Sequence, residues 1–161
     1  MKILAIDPGS EKSAAVLFDG ESVLETLNAD NADVRLILQS WEYDCCAIEH
    51  PTGWTRPGRA MVPQVLTMLR EIGRFQQVIE DSKKEIPVTF IYPQTIRTYL
   101  CHSARADDKA VATVLKALFG ENLKQWRVKN SHLRSALAVA VTTYDQRHPE
   151  TSSQRWGNLH G

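Results

Sequence analysis

The chain has 161 residues, 43% of them hydrophobic and 24% charged, with 19 Lys plus Arg against 19 Asp plus Glu. That length suits one domain with its own core, leaves no room for a two-domain kinase or polymerase, and the composition is neither disordered nor fibrous. A net charge of zero argues at first against a nucleic-acid binder, since such proteins tend to be basic.

The balance hides a gradient. Residues 1–50 carry three bases and ten acids, 51–96 six and four, and 97–161 ten and five, so the segments sum to −7, +2 and +5. The stretch 97–134 alone holds eight bases and three acids. Local charge sets the field that a polyanion meets, so overall neutrality does not exclude one. Cys45, Cys46 and Cys101 form an odd set with no CxxC pair, which suits free thiols better than disulfides or a zinc site. The opening MKILAID lacks the apolar core of a signal peptide, and no stretch approaches a membrane span. A cytoplasmic protein without membrane contact is expected.

Ile3 to Ile6 is a short apolar run stopped by Asp7-Pro8-Gly9-Ser10, a buried strand ending in a turn. Ser13 to Phe18 is a second strand closed by Asp19-Gly20, a hairpin signal, and Ser22 to Leu27 is the third. Asn31 to Tyr43 reads as a helix capped by Asn31 or Asp33. Cys45 to Ile48 is a buried strand running into Glu49, and a helix between two strands implies a crossover to parallel pairing. Residues 50–59, HPTGWTRPGR, read as loop. Ala60 to Ser82 is the longest helix candidate, with a wide apolar stripe that suits either core or an interface. Pro87 to Tyr92 is a further strand. Helices are expected at 94–101, at 107–119 with Gly120 as its stop, and from Ser131, as cap, to Tyr144. The result is one mixed α/β domain over 1–146, then a polar, frayed tail over 147–161.

Asp7 and Glu49 each follow the apolar run of a strand. If those strands are neighbours, both carboxylates emerge at one sheet edge, where ligand sites of α/β folds gather. Close carboxylates repel and need a proton or a cation between them, and oxygen ligands favour Mg²⁺ or Mn²⁺. His132, in the first turn of the last helix, is a candidate third ligand or base.

ILAIDPGSEKSAAVLFDG resembles the opening of the RuvC-type Holliday junction resolvases, and CCAIEH resembles their second acidic strand. IPVTFIYPQTIRTYLCHSARADDKAVATVLKALFG and SHLRSALAVAV resemble two later stretches of that family, so the likeness runs in order from Ile3 to about Tyr144. It implies a ribonuclease H-like mixed sheet of about five strands flanked by helices. It also implies metal-dependent cleavage of four-way or other branched DNA by a homodimer, with Mg²⁺ as cofactor and Mn²⁺ as substitute. Asp7, Glu49 and His132 would then be metal ligands, and Lys109 and Arg97 would lie near the scissile phosphate. Trp54, Arg56, Arg59, Arg105, Lys116 and Arg134 are further candidates for DNA contact. The family's final acid falls on Ser135, a neutral hydroxyl at a catalytic position. That departure leaves open a weakened site, a non-cutting junction-binding protein, or compensation by another acid. Asp145 is nearly three turns away, and Asp107 and Asp108 are nearer the region that the resemblance makes the active site. A ribonuclease H-like RNA-processing nuclease is a further alternative. An actin-like ATPase or sugar kinase would need two related domains, more than this length supplies. A DNA interface requires the bases of 97–134 to lie beside Asp7 and Glu49.

Overall fold

β1 (Ile3–Asp7), β2 (Lys12–Phe18) and β3 (Val23–Asp30) form an antiparallel meander, as the turn signals predict. In the β2–β3 turn Gly20 adopts a φ of +106°, and an added Cβ would lie 2.1 Å from the ring of Tyr144, so only glycine fits. The computed structural model describes residues 1–52, 63–82 and 85–160. α1 (Asn31–Ser40) crosses to β4 (Cys45–Glu49), which pairs parallel with β1 from Ile3↔Cys45 to Ile6↔Ile48. α2 (Pro63–Asp81) crosses to β5 (Val88–Ile91), parallel to β4. The sheet order is β3-β2-β1-β4-β5, the mixed five-stranded sheet that the resemblance implies. α3 (Pro93–Cys101), α4 (Asp108–Phe119), α5 (Asn122–Gln125), α6 (Ser131–Arg147) and α7 (Pro149–His160) follow.

Strand alternation divides the core. Leu4, Ile6, Leu17, Cys46 and Ile48 pack on one face with Val34, Ile37 and Leu38 of α1 and Ile72, Phe75 and Ile79 of α2. Those three residues of the α2 stripe are therefore ordinary core. Its buried Glu71 accepts from Arg35 of α1 at 2.6 Å and from Arg74. On the other face Ile3, Ala5, Ala14, Val16, Cys45 and Ala47 meet α6. α6 is buried continuously from Ala136 to Thr143, the property of a helix covered on all sides. The small residues facing it, Ala5, Ala14 and Ala47, are what let it sit close to the sheet.

Several boundaries differ from the sequence reading. α1 ends at Ser40 because Trp41 turns to an extended backbone. Its N-cap is Asp30, with no side-chain cap bond, rather than Asn31 or Asp33. α6 is capped not by Ser131 but by Asn130, whose side chain accepts from Leu133 N–H at 2.8 Å. The four-residue α5 was not anticipated.

The frayed ending is not observed either. α7 is fastened by Asp145, which is 2% exposed on α6. Asp145 accepts from Tyr99 Oη at 2.9 Å and from Arg155 Nε at 3.2 Å, while Arg155 also donates to Gly20 O at 2.6 Å. The Arg155 guanidinium lies 5.5 Å from the centre of the Phe18 ring, and Trp156 Nε1 donates to Tyr99 Oη at 3.0 Å. Burial pushes the Asp145 carboxyl up, and Arg155 opposes the shift. Removing one partner of such a buried pair leaves the other uncompensated. Arg155→Ala is therefore expected to cost about 3 kcal/mol in urea unfolding, and Arg147→Ala, at an exposed site, under about 1 kcal/mol. Equal costs would remove Arg155 as the fastener of α7.

Candidate active site

The parity of two strands places the acids. Ile3, Ala5 and Asp7 share one face of β1, and Cys45, Ala47 and Glu49 share the same face of β4. The register that aligns Ile6 with Ile48 brings Asp7 beside Glu49 at the strand ends. Both carboxylates therefore rise on the α6 side, where that helix begins. There His132 Nδ1 lies 3.0 Å from Asp7 Oδ2.

The turn after Asp7 is fixed from below. Gly9 N–H donates to Ser13 Oγ at 3.1 Å, Ser13 Oγ donates to Asn31 Oδ1 at 2.6 Å, and Asn31 Nδ2 donates to Gly9 O at 3.1 Å. This closed, largely buried triangle explains why Asn31 is not a cap. An added Cβ on Gly9 would lie 2.1 Å from Lys12 O, so the turn also requires glycine.

A cleft of about 250 Å³ is lined by Asp7, Glu49, Arg97, Asp108, His132 and Ser135, with Pro93, Ile96, Val111, Ser131 and Ala138 as walls. Ser135 does share a helix face with His132 there. Asp108, which the sequence left unplaced beside Asp107, lines the same cleft, and its Oδ1 accepts from Arg97 Nη2 at 3.0 Å. Its signal was the ADDK run: Asp107 caps α4 by accepting from Ala110 N–H at 2.8 Å, and Asp108 opens the first turn.

The electrostatics are those of crowded acids. Burial raises the Asp7 carboxyl, His132 opposes the shift, and Asp108 adds to it. Burial raises Glu49 to about 7, reinforced by Asp7 and Asp108 and opposed by Arg97. Hard oxygen donors that resist ionising together suit a divalent cation such as Mg²⁺ or Mn²⁺. Asp7 and Glu49 could supply those oxygens, and His132 a nitrogen. Among the described residues, no group of three His, Cys, Asp or Glu side chains is arranged to hold a metal ion.

The basic candidates divide. Arg97 lines the cleft, and Lys109 and Arg134 line an adjoining groove between α4 and α6 that also contains Asp108, Ser131 and Ser135. Lys116 stands two turns beyond Lys109 on α4, and exposed Arg105 precedes that helix; neither lines the cleft. Trp54, Arg56 and Arg59 lie outside the described residues. Among the described residues no helix is long and apolar enough to cross a membrane.

Asn31→Ala breaks two buried hydrogen bonds and is expected to cost about 2 kcal/mol in urea unfolding, against under about 1 kcal/mol for exposed Asp33→Ala. The reverse order would return the capping role to Asp33. The Glu49 shift carries a pH signature. In chelator, the folded carboxyl keeps its proton to about pH 7, whereas the unfolded one ionises near 4.5. Wild type thus loses stability as pH rises through that window. Glu49→Gln, which never ionises, should be more stable than wild type at pH 8 by on the order of 2 kcal/mol and nearly equal to it at pH 4. Melts showing the same gap at both pH values would contradict the shift.

No protein-family model matches the sequence, and no curated protein does. Solved structures do. Thermus thermophilus RuvC is 18% identical with a TM-score of 0.68, over 92% of this chain and 97% of that one. T. thermophilus RuvC in complex with Holliday junction substrate is 17% identical with a TM-score of 0.66, over 94% and 97%. At that identity the likeness is one of fold, and the chain has a RuvC-like, ribonuclease H-like α/β fold.

Proposed function

We propose that this chain is a structure-selective endodeoxyribonuclease that hydrolyses phosphodiesters at four-way (Holliday) or other branched DNA junctions, with Mg²⁺ as cofactor and Mn²⁺ as its substitute. The observation that carries the reading is the convergence of Asp7, Glu49 and His132 on one cleft. Its support is a fold shared with RuvC, one structure of which holds a Holliday junction substrate. Asp7 and Glu49 would hold the cation with His132 beside them. When bound, it would supply positive charge at the scissile phosphate and a more acidic water.

The chain's own groups do the rest. Asp7 fixes the His132 ring through Nδ1 and so leaves Nε2 for a ligand or a proton. Arg97, Lys109 and Arg134 bind phosphate oxygens on either side of the cleft. Hydrolysis joins the oxygen of water to phosphorus, breaks one P–O ester bond, and leaves a proton on the departing oxygen. Symmetric cutting of a four-way junction needs two such sites, hence a homodimer acting in the cytoplasm.

Ser135 favours a second reading, a protein that binds junctions without cutting them, because a hydroxyl neutralises none of a cation's charge. Labelled four-way junction, linear duplex, flap and RNA, each with Mg²⁺ or Mn²⁺, separate the two. The nuclease predicts paired nicks near the crossover that fall by about 100-fold or more in Asp7→Asn, the loss of several kcal/mol of transition-state stabilisation. A junction shifted on a gel but never nicked supports the second reading. Equal cutting by wild type and Asp7→Asn would remove Asp7 from the chemistry, and preferential cutting of RNA would make the substrate RNA.

A further inference from the structure

Ser135 leaves the proposed site one carboxylate short on α6, the helix that also carries His132. Across the cleft stands α4. Of the two acids at its start, Asp107 is committed to the helix, since its side chain accepts from Ala110 N–H. Asp108 is not. It lines the cleft together with Asp7, Glu49 and Ser135, and it lines the α4–α6 groove again with Ser131 and Ser135. It is thus the acid on α4 that shares both concavities with the serine. Arg97 takes up Oδ1, which leaves Oδ2 for a cation, and at 85% exposure the side chain is not packed in place. Lys109, the next residue, lines the groove but not the cleft.

We infer that Asp108 supplies, from α4, the third carboxylate of the cation site, in the place that Ser135 leaves vacant on α6. This rests on the metal-dependent reading above. A carboxylate delivered from a different helix restores the charge that a divalent cation needs and keeps Arg97 at the rim, paired through the other oxygen. The competing role for Asp108 is only to hold Arg97 in position.

Mn²⁺ binding to the full chain, followed by calorimetry and by the electron-spin resonance of the free ion, separates these roles without any cutting assay. Circular dichroism of each variant checks the fold. Asp7→Asn should abolish saturable binding. Asp108→Asn should weaken it 10-fold or more, and Ser135→Asp added to Asp108→Asn should recover most of the loss. Arg97→Ala, which frees Oδ1, should bind Mn²⁺ at least as tightly as wild type. If Asp108→Asn binds within twofold of wild type while Asp7→Asn does not, the inference fails and the metal site stands. If Arg97→Ala loses as much as Asp108→Asn, Asp108 acts only through the arginine and the inference fails likewise. If Asp7→Asn itself binds like wild type, the metal-dependent reading fails and takes the inference with it.

Discussion

Two carboxylates on neighbouring parallel strands, partly shut off from water, repel each other, and the fold holds them together all the same. Burial raises both carboxyls; His132 opposes the shift at Asp7, and the Asp7 charge adds to the shift at Glu49. Arg97 opposes that repulsion in part, but it is shared with Asp108. A fold that only had to be stable would separate these acids or replace one with a neutral group. Strain of this kind concentrates at functional sites, where a charged ligand relieves it.

The surrounding structure serves that juxtaposition. Parallel pairing of β1 and β4 fixes the register, and alternation puts both acids on the α6 side. The Gly9–Ser13–Asn31 triangle holds the turn that follows Asp7, so the carboxylate does not move with a loose loop. α6 delivers His132 and Ser135 to the same cleft because alanines on the sheet let it lie close. At its far end, the Asp145–Arg155 pair and the contacts of the Arg155 guanidinium with the Phe18 and Phe119 rings hold α7 against the core. The helix that carries part of the site is therefore anchored at a point remote from it, which suits a site whose spacing must be kept as a ligand binds and leaves.

What sequence could reveal follows from the range of the interactions involved. Asp7 and Glu49 were legible because each ends an apolar strand, a local pattern, and counting in twos from Ile3 and Cys45 would have put both on one face. Asn31 was misread because a cap is a local role, whereas its partners Gly9 and Ser13 are 22 and 18 residues away. Asn130 and Ser131 are adjacent and both make good caps, so no pattern chooses between them. PETSSQRWGNLH has little apolar periodicity, and α7 is held by Asp145, Tyr99 and Gly20, none of which a window over the tail contains. Asp108 could be named but not placed for the same reason: its position in the cleft comes from the packing of α4 across from α6, not from its neighbours in the chain.

The zero net charge takes on a different meaning once the groups are placed. Asp7, Glu49 and Asp108 line one cleft with Arg97 of α3, and Lys109 of α4 and Arg134 of α6 line the groove beside it. Arg105 and Lys116 line neither, and Lys124 is paired with Glu121 at 2.6 Å, so the basic surface is narrower than the count over 97–134 suggests. On the proposed reading, a phosphate attracted by the bases would meet carboxylates at the centre, and a bound cation would reverse the sign of that centre, so that the last step of approach would depend on the metal and the first on the bases alone. Neutrality of the whole chain therefore says little about the site, where acids in the cleft and bases in and beside it remain apart in space although the chain's charges cancel in the sum.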